Sequence, residues 1–232
     1  MSGLAEALSG VLSRIGDAAR ASGRAPDAVT LIAVSKTHPA TAIREAYAAG
    51  QRDFGENYVQ ELQQKAAELH DLTELRWHLI GHLQRNKVKQ VAPLVSLLHT
   101  VDSLELAREL DKRVSAATPA RRLPVLVEVS IAGEQQKHGA DPRALAELLL
   151  GIEALPALSL RGLMCVPPFT DDAAAARPHF EHLRAVRDAH GGVTRLPELS
   201  MGMTHDLEQA VAAGATLVRV GTAIFGARPA KL

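Results

Sequence analysis

Short apolar runs alternate along the chain with longer segments in which apolar residues recur every three or four positions. The short runs predict β-strands, and several are apolar throughout, which is typical of parallel strands covered on both faces. The longer segments have the periodicity of amphipathic α-helices. The predicted strands are Val29–Ser35, Asp53–Phe54, Arg76–Ile80, Leu97–Val101, Leu123–Val129, Leu158–Met164, Glu198–Leu199 and Leu217–Val220.

Helices are predicted between these strands, and residues 1–22 are predicted as one more helix that precedes the first strand. Gly50 follows the first intervening helix and Gly214 follows the last, at positions where a left-handed residue commonly ends a helix. The intervening helices are Pro39–Ala49, Tyr58–Leu69, Gln84–Ala92, Ser103–Ala117, Pro142–Glu153, Asp171–Ala189 and Asp206–Ala213.

Alternating strands and helices build a parallel sheet, which can close into a (β/α)8 barrel or stay open and doubly wound. No G-x-G-x-x-G sequence follows the first strand, so the dinucleotide-binding form of the open sheet is disfavoured. The length of 232 residues lies near the short end of the barrel range, and no linker divides the chain. We therefore predict an α/β fold, a single TIM-type (β/α)8 barrel domain over residues 1–232 with an extra N-terminal helix.

Composition and charge narrow the classes of partner. The 26 Lys and Arg residues balance the 26 Asp and Glu residues, so no overall field attracts nucleic acid or an anionic membrane. The single cysteine, Cys165, excludes an internal disulfide and fits a reducing compartment. His78 and His82 lack neighbouring ligands in a recognisable metal-binding pattern. We expect a cytoplasmic monomer with no nucleic acid, membrane or metal partner.

Lys36 follows the first predicted strand directly, after the apolar run LIAVS of residues 31–35. Burial disfavours an ammonium ion, so a buried lysine loses its proton and becomes a nucleophile that can form a Schiff base with a carbonyl compound. The plainer interpretation is that Lys36 extends its amine into solvent while its stem covers apolar surface. In either case Lys36 lies at the barrel end where active sites of this fold are built.

Two loops near the C-terminus favour a phosphate site. Segment 200–204 (SMGMT) and segment 221–226 (GTAIFG) each present small residues, hydroxyls and unpaired backbone N–H groups before a helical turn. TIM barrels often bind phosphate at the loops after strands seven and eight. Either loop alone fits ordinary N-capping by Thr204 or Thr222. Together, and opposite Lys36, they predict a ligand that carries both a phosphate and an aldehyde.

Arg219 lies inside the last apolar strand, where an unpaired guanidinium is very costly. It therefore requires a partner, either a carboxylate in the barrel or a ligand. Pyridoxal phosphate matches all three features, with an aldehyde for Lys36, a phosphate for the loops that contain Ser200 and Thr222, and a ring nitrogen for Arg219. An aldolase that uses Lys36 directly on a sugar phosphate is the cofactor-free alternative, but it leaves Arg219 without an obvious partner.

Six motifs occur in order along the chain: AVSK (33–36), FGENYVQE (54–61), WHLIGHLQRNK (77–87), GLMCVP (162–167), LSMGMTHD (199–206) and VRVGTAIFG (218–226). In these motifs the chain resembles the YggS/PROSC family of pyridoxal phosphate homeostasis proteins over nearly its whole length. The resemblance implies a barrel like the N-terminal domain of alanine racemase, with pyridoxal phosphate held as an internal aldimine on Lys36. It also implies that Arg219 faces the pyridine nitrogen and that Asn57 lies in the pocket wall. The phosphate ligands that it implies are Ser200, the backbone around Met201, Gly221 and Thr222.

Two positions depart from the family pattern. Glu128 stands in strand five where the family pattern has Asn, and Thr204 stands where it has Ser. The second change keeps the hydroxyl, whereas the first brings a charge near the pocket.

The resemblance implies binding and handling of the cofactor without an established reaction, so we expect no catalytic residue. Apo forms of pyridoxal-phosphate enzymes are then the expected recipients. The alternative is an amino-acid racemase or related enzyme. Racemases of this fold use a tyrosine base from a second domain, and the only tyrosines here, Tyr47 and Tyr58, lie in predicted helices. Binding without turnover, with at most weak side activity, is therefore the favoured function.

Overall fold

The eight strands form one closed parallel barrel in sequence order in the computed structural model, which describes residues 3–118, 120–131, 139–168 and 170–227. The barrel closes where β1 pairs with β8, with Thr30 opposite Leu217. This confirms the predicted barrel and excludes the open sheet. The strands are β1 (Thr30–Val34), β2 (Asp53–Glu56), β3 (Arg76–Leu79), β4 (Val95–Val101), β5 (Leu123–Glu128), β6 (Leu158–Met164), β7 (Glu198–Ser200) and β8 (Leu217–Val220).

Helices cover the outside of the barrel and follow the predicted order. Gly50 and Gly214 have φ values of 101° and 106°, the left-handed conformation expected where a helix ends. No helix in the described ranges is long and apolar enough to cross a membrane. The helices are α1 (Gly3–Ala21), α2 (Ala40–Ala48), α3 (Val59–Glu68), α4 (Val88–Val91), α5 (Leu104–Ala117), α6 (Leu145–Glu153), α7 (Arg177–Ala189), α8 (Gly192–Arg195), α9 (Leu207–Ala212) and α10 (Thr222–Phe225).

The predicted helix Asp171–Ala189 is wrong at its start. Residues Ala173–Ala176 form a 3₁₀ turn, and the regular α7 begins at Arg177, next to a proline in its first turn. Proline has no N–H and a fixed φ, so it suits the first turn of a helix rather than its interior. After α7, Gly191 adopts the left-handed conformation with φ 107°, and Gly192 is the first residue of the short helix α8.

The barrel interior differs chemically from the layer around it. Outward-facing strand residues such as Leu31 and Ala33 pack with the helices into one large apolar cluster. The residue between them, Ile32, points inward and belongs to a separate small cluster that includes Leu126 and Met164. The remainder of the interior is polar: Asp53, His78, His99, Ser200 and Arg219 are all buried. Burying polar groups costs free energy unless they form hydrogen bonds, so each of these side chains needs a partner inside the barrel.

The leading helix α1 is part of the structure around the barrel mouth. It packs against α9 and α10 and buries Leu8, Val11 and Ile15. From the same helix, Arg14 pairs with Glu208 at 2.7 Å and donates a hydrogen bond to the Thr204 carbonyl at 3.1 Å. The extra N-terminal helix therefore fixes the loop that follows β7.

Candidate functional site

A cavity of about 530 Å³ opens at the carboxyl ends of the strands, within the usual size range of small-molecule sites. Its walls come from the segments after β1, β2, β3, β6, β7 and β8. Apolar walls are supplied by Val34, Ile80 and Val166. The cavity therefore lies where this fold builds its active sites.

Five of the residues predicted for the site line this cavity together: Lys36, Asn57, Arg219, Gly221 and Thr222. Ser200 and Met201, the other two, are fully buried and are absent from the wall as far as the described residues define it. Met201 packs in the apolar layer between the barrel and the helices. Ser200 points into the barrel, where its Oγ contacts Arg219 and His99.

Sequence reasoning missed several residues that reach the cavity. His38 follows Lys36 in the loop after β1, and Met203, His205 and Asp206 come from the loop after β7. Met203 falls inside segment 200–204, which favours a phosphate site, whereas His205 and Asp206 fall only inside the longer motif LSMGMTHD (199–206). His38 carries no sequence signal of its own, because a histidine next to a helix start is common.

The backbone on both sides of Lys36 is held by two side chains from α3. Lys65 donates a hydrogen bond to the Ser35 carbonyl at 2.8 Å. Glu61 accepts one from the Thr37 N–H at 2.5 Å. Thr37 itself has φ 68°, a left-handed conformation that a β-branched residue rarely adopts without surrounding support. These contacts fix the direction in which Lys36 leaves the strand.

The same contacts belong to a buried ion cluster. Lys65 is only 5% exposed and donates to Glu56 at 2.7 Å and to Glu61 at 2.6 Å. Ser35 Oγ also donates to Glu56, at 2.7 Å. Burial raises the pKa of Glu56, and the charge and hydrogen bonds of Lys65 and Ser35 counteract the rise. The second oxygen of Glu56 is buried with no partner among the described residues, so the carboxylate depends on Lys65.

Arg219 is buried at 4% exposure and finds neutral partners. One terminal nitrogen donates to Ser200 Oγ at 2.7 Å, and the other donates to the Cys165 carbonyl at 2.9 Å. Neither of these partners is a carboxylate, so that half of the expectation is corrected, although Glu128 and Asp206 are close enough to act electrostatically; the expected contact with a ligand stays a prediction. Burial lowers the pKa of Arg219, and it raises the pKa of the Cys165 thiol to about 12. Cys165 thus contributes its carbonyl rather than a reactive thiolate.

Glu128, one of the two positions expected to depart from the family pattern, is an acid close enough to Arg219 to interact electrostatically with it. Burial raises its pKa from 4.5 to about 7, while Arg219 opposes the rise and Asp102 adds to it. An acid whose pKa is raised by folding costs stability once the pH exceeds its unfolded pKa, and the cost is complete above the folded pKa.

Glu128→Gln is therefore expected to stabilise the protein at pH 8 by about 2 to 3 kcal/mol and to have much less effect at pH 5. Denaturant unfolding at the two pH values measures this difference. The exposed Glu105→Gln serves as control and should change neither value. An equal effect of Glu128→Gln at both pH values would contradict the raised pKa.

The loop after β7 depends on Gly202 and Asp206. Gly202 has φ 92°, and its carbonyl accepts a hydrogen bond from the Arg219 N–H at 3.0 Å. Asp206 Oδ1 accepts from the Met203 N–H at 2.6 Å and closes the turn before α9. The helix predicted over Asp206–Ala213 begins at Leu207, with Asp206 in the position just before its first turn, so Thr204 lies outside the helix. Thr204 thereby stays on the cavity wall.

Gly202→Ala is expected to destabilise the protein by roughly 1 to 3 kcal/mol, because a Cβ there needs a strained φ and would lie 2.4 Å from Ala210 Cβ. Gly50→Ala is the matched control, since Gly50 also has a positive φ but no atom within 4 Å of the added Cβ. Thermal unfolding of both variants separates the cost of the backbone strain, which both share, from the cost of the steric overlap with Ala210, which only Gly202→Ala has. Equal losses would show that the packing against Ala210 relaxes at no cost.

The loop after β8 packs closely on the end of β1. A Cβ on Gly221 would lie 3.0 Å from the Val34 carbonyl oxygen, so glycine permits the approach. Gly221 stands just before the short helix α10, whose first backbone N–H groups have no partner within the helix. This packing brings Thr222 into the same cavity as Lys36.

The residues of the cavity fit pyridoxal phosphate. Lys36 and Arg219 supply an amine and a cation, and the loops after β7 and β8 supply Thr204 and Thr222 hydroxyls. Asn57 Oδ1 is buried and has no partner within the described part of the chain. A buried acceptor without a partner indicates a missing donor, and a polar ligand in the cavity can supply one.

His78 and His82 do not form a metal pair. His78 bonds to Asp53 and His99 inside the barrel, whereas His82 lies 3.5 Å from Asp102 at the rim. The residues that the structure describes contain no group of three or more potential metal ligands.

Residues 17–229 match the family model described as alanine racemase, N-terminal domain. The chain is 48% identical to the pyridoxal phosphate homeostasis protein of Pseudomonas aeruginosa over 229 residues, which cover 98% of this chain and 97% of that protein. It is 45% identical to the pyridoxal phosphate homeostasis protein of Escherichia coli strain K12 over 234 residues, which cover 98% of each.

A solved structure of PipY from Synechococcus elongatus PCC7942 with pyridoxal phosphate bound has the same fold, with a TM-score of 0.84 at 41% identity. The match covers 96% of this chain and 100% of PipY. Both the closed barrel and the motifs at its mouth agree with these similarities. The chain therefore belongs to the family of pyridoxal phosphate homeostasis proteins.

Proposed function

We propose that this protein binds pyridoxal phosphate reversibly through Lys36 and takes part in intracellular vitamin B6 homeostasis. The observation that carries the proposal is the convergence of Lys36, Arg219 and two hydroxyl-bearing glycine loops on one cavity. The pyridoxal phosphate in the PipY structure and the names of the curated relatives support it. When bound, pyridoxal phosphate supplies an aldehyde for covalent attachment to an amine, a phosphate and a ring nitrogen.

Each cavity residue has a distinct part in the proposal. Lys36, held in direction by its flanking backbone contacts, presents its amine to the aldehyde. Arg219 donates toward the ring nitrogen and, as a fixed cation, keeps a proton away from that atom. Asn57 offers its unpartnered Oδ1 to the ligand from the cavity wall.

Gly221 and Thr222 bind the phosphate in this proposal, as the sequence predicted. Thr204 joins them, because it lines the cavity in the loop after β7. The predicted roles of Ser200 and of the Met201 backbone remain predictions. The Oγ of Ser200 already contacts Arg219 and His99, so a phosphate would have to compete with both.

We further propose that the protein binds the cofactor without turnover and passes it to apo-enzymes in the cytoplasm as a monomer. A proton transfer on both faces of a substrate requires a second base opposite Lys36. Tyr47 packs against the Arg52 guanidinium, and Tyr58 is 58% exposed, so neither tyrosine supports a racemase. Arg219 beside the ring nitrogen weakens the electron withdrawal that carbanion chemistry needs.

A transfer assay tests this function. Protein loaded with pyridoxal phosphate is mixed with an apo-enzyme and a phosphatase that destroys free cofactor, and recovery of the apo-enzyme's activity is followed. The proposal predicts faster recovery than with the same amount of free cofactor. Recovery no better than with free cofactor argues against delivery, and racemisation of L-alanine at an enzyme-like rate would favour the alternative.

A further inference from the structure

A continuous chain of hydrogen bonds runs through the barrel interior from the cavity to the opposite end. Arg219 donates to Ser200 Oγ at 2.7 Å. Ser200 Oγ lies 2.8 Å from His99 Nδ1, and His99 Nε2 lies 3.0 Å from His78 Nδ1. His78 Nε2 lies 3.0 Å from Asp53 Oδ1. The cavity cation is thus joined through three side chains to a carboxylate at the start of β2.

Asp53 anchors this chain at the far end. Arg76, at the start of β3, contacts it through two nitrogens at 2.7 and 2.6 Å. Burial alone would raise the pKa of Asp53, but the hydrogen bonds from Arg76 and His78 outweigh burial and lower it to about 2. Asp53 is therefore ionised at neutral pH and can only accept hydrogen bonds.

The two ends determine the direction of every bond between them. Arg219 can only donate and Asp53 can only accept. If both imidazoles are neutral, Ser200 donates to His99, His99 Nε2–H donates to His78, and His78 Nε2–H donates to Asp53. Each of the three side chains between the two ends then donates one hydrogen bond and accepts one. Burial lowers the pKa of His99 well below its ordinary value, which agrees with a neutral ring.

The opposite order of hydrogen bonds leaves one buried donor without an acceptor. If His78 were cationic, its Nδ1–H would donate to His99, whose Nδ1–H would then donate to Ser200. Ser200 Oγ would receive two donors, and its own buried hydroxyl proton would have no acceptor among the described residues. An unsatisfied buried donor costs free energy, so the first order is favoured.

We propose that His99 and His78 are positioning residues for Arg219 and act on it through Ser200. Because the Ser200 hydroxyl donates its proton to His99, the lone pairs of Ser200 Oγ face the Arg219 guanidinium and accept its hydrogen bond. This contact holds the guanidinium toward the cavity. The contact of Arg219 with the ligand's ring nitrogen rests on the proposed function. The order of the hydrogen bonds does not, and it can be measured on the protein without ligand.

The first experiment reads the histidine tautomers by NMR of the ¹⁵N-histidine-labelled protein at neutral pH without cofactor. We expect Nε2 protonated and Nδ1 unprotonated in both His78 and His99. Ser200→Ala should shift the His99 Nδ1 signal, because that nitrogen loses its donor, and should leave the exposed His182 unchanged. An Nδ1–H tautomer of His99 or a doubly protonated His78 would overturn the proposed order.

The second experiment measures the absorption spectrum and affinity of bound pyridoxal phosphate in folded variants. Ser200→Ala and His99→Leu should shift the absorption band and weaken binding by roughly tenfold or more, since each breaks a bond in a chain that ends on a charged group. His99→Gln, which can accept and donate, should recover much of the loss. His182→Gln is the matched control.

The two possible failures are distinguishable. If wild-type protein binds no pyridoxal phosphate, the proposed function fails while the NMR result still decides the order of the chain. If the wild type binds, and folded Ser200→Ala and His99→Leu show an unchanged absorption band and affinity, the positioning role is wrong. Thermal unfolding of each variant confirms that folded protein is compared, and a stability loss alone would not move the absorption band.

Discussion

Lys36→Ala is expected to abolish the covalent product that borohydride traps when the protein is incubated with pyridoxal phosphate. In the wild type, reduction should leave one pyridoxyl phosphate group per chain, on the peptide that contains Lys36. The physical reason is that Lys36 is the lysine on the cavity wall as far as the described residues define it, whereas Lys65 lies outside that wall in the ion cluster with Glu56 and Glu61. Mass spectrometry of the digested protein measures the product.

Two further variants make this result specific. Lys36→Arg keeps the charge but removes the primary amine, so the trapped product should be lost while part of the non-covalent binding remains. Lys87→Ala replaces a lysine of similar half-buried character on another segment and should leave the product unchanged. Affinity should fall by about tenfold or more in Lys36→Ala, which corresponds to at least 1.4 kcal/mol of binding free energy. An undiminished product on another lysine would show that Lys36 is not the attachment site.

Lys65→Met is expected to destabilise the protein by roughly 3 to 5 kcal/mol at neutral pH, because it leaves the buried Glu56 carboxylate without its cation. The folded pKa of Glu56 is already raised by burial, and loss of Lys65 raises it further. Stability from such a group is lost as pH rises above its unfolded pKa, so the defect should be smaller at pH 5 than at pH 8, because a lower pH favours the protonated form of Glu56. Denaturant unfolding at pH 5 and pH 8 measures the change.

A double variant separates the charge from the packing. Glu56→Gln combined with Lys65→Met removes both charges and should recover about 1 to 3 kcal/mol relative to Lys65→Met alone. Lys89→Met, on the exposed face of α4, should stay within about 0.5 kcal/mol of the wild type. A defect of the same size at both pH values, with no recovery in the double variant, would attribute the loss to packing instead.

Local patterns predicted the barrel and five of the residues that line the cavity. A strand that is covered on both faces is mostly apolar, so several strands, such as β1 and β5, are visible as short apolar runs, and the alternation with helices locates the others. Parallel strands that alternate with helices have their carboxyl ends on one side of the barrel. Residues that follow strands, such as Lys36, Asn57 and Gly221, therefore had to converge, and they do.

Positions inside strands were harder to interpret. Arg219 was recognised as a costly charge, but its partners Ser200 and the Cys165 carbonyl come from β7 and the segment after β6. Pairing between separate strands depends on register, which a single strand's composition does not encode. The sequence also gives no signal for His99, because a single histidine in an apolar run resembles an ordinary core residue.

The order of strands and helices, the barrel end that carries the site and the lysine at its edge follow from periodicity and from where each strand stops. These are local properties, because burial on two faces constrains every residue of a strand. The chain from Arg219 to Asp53 and the cluster of Lys65 with Glu56 and Glu61 follow only from the closed barrel. Closure brings residues more than a hundred positions apart in sequence, such as His99 and Ser200, within 2.8 Å in a water-excluded interior. There, each buried polar group has to bond to whichever neighbour the register supplies.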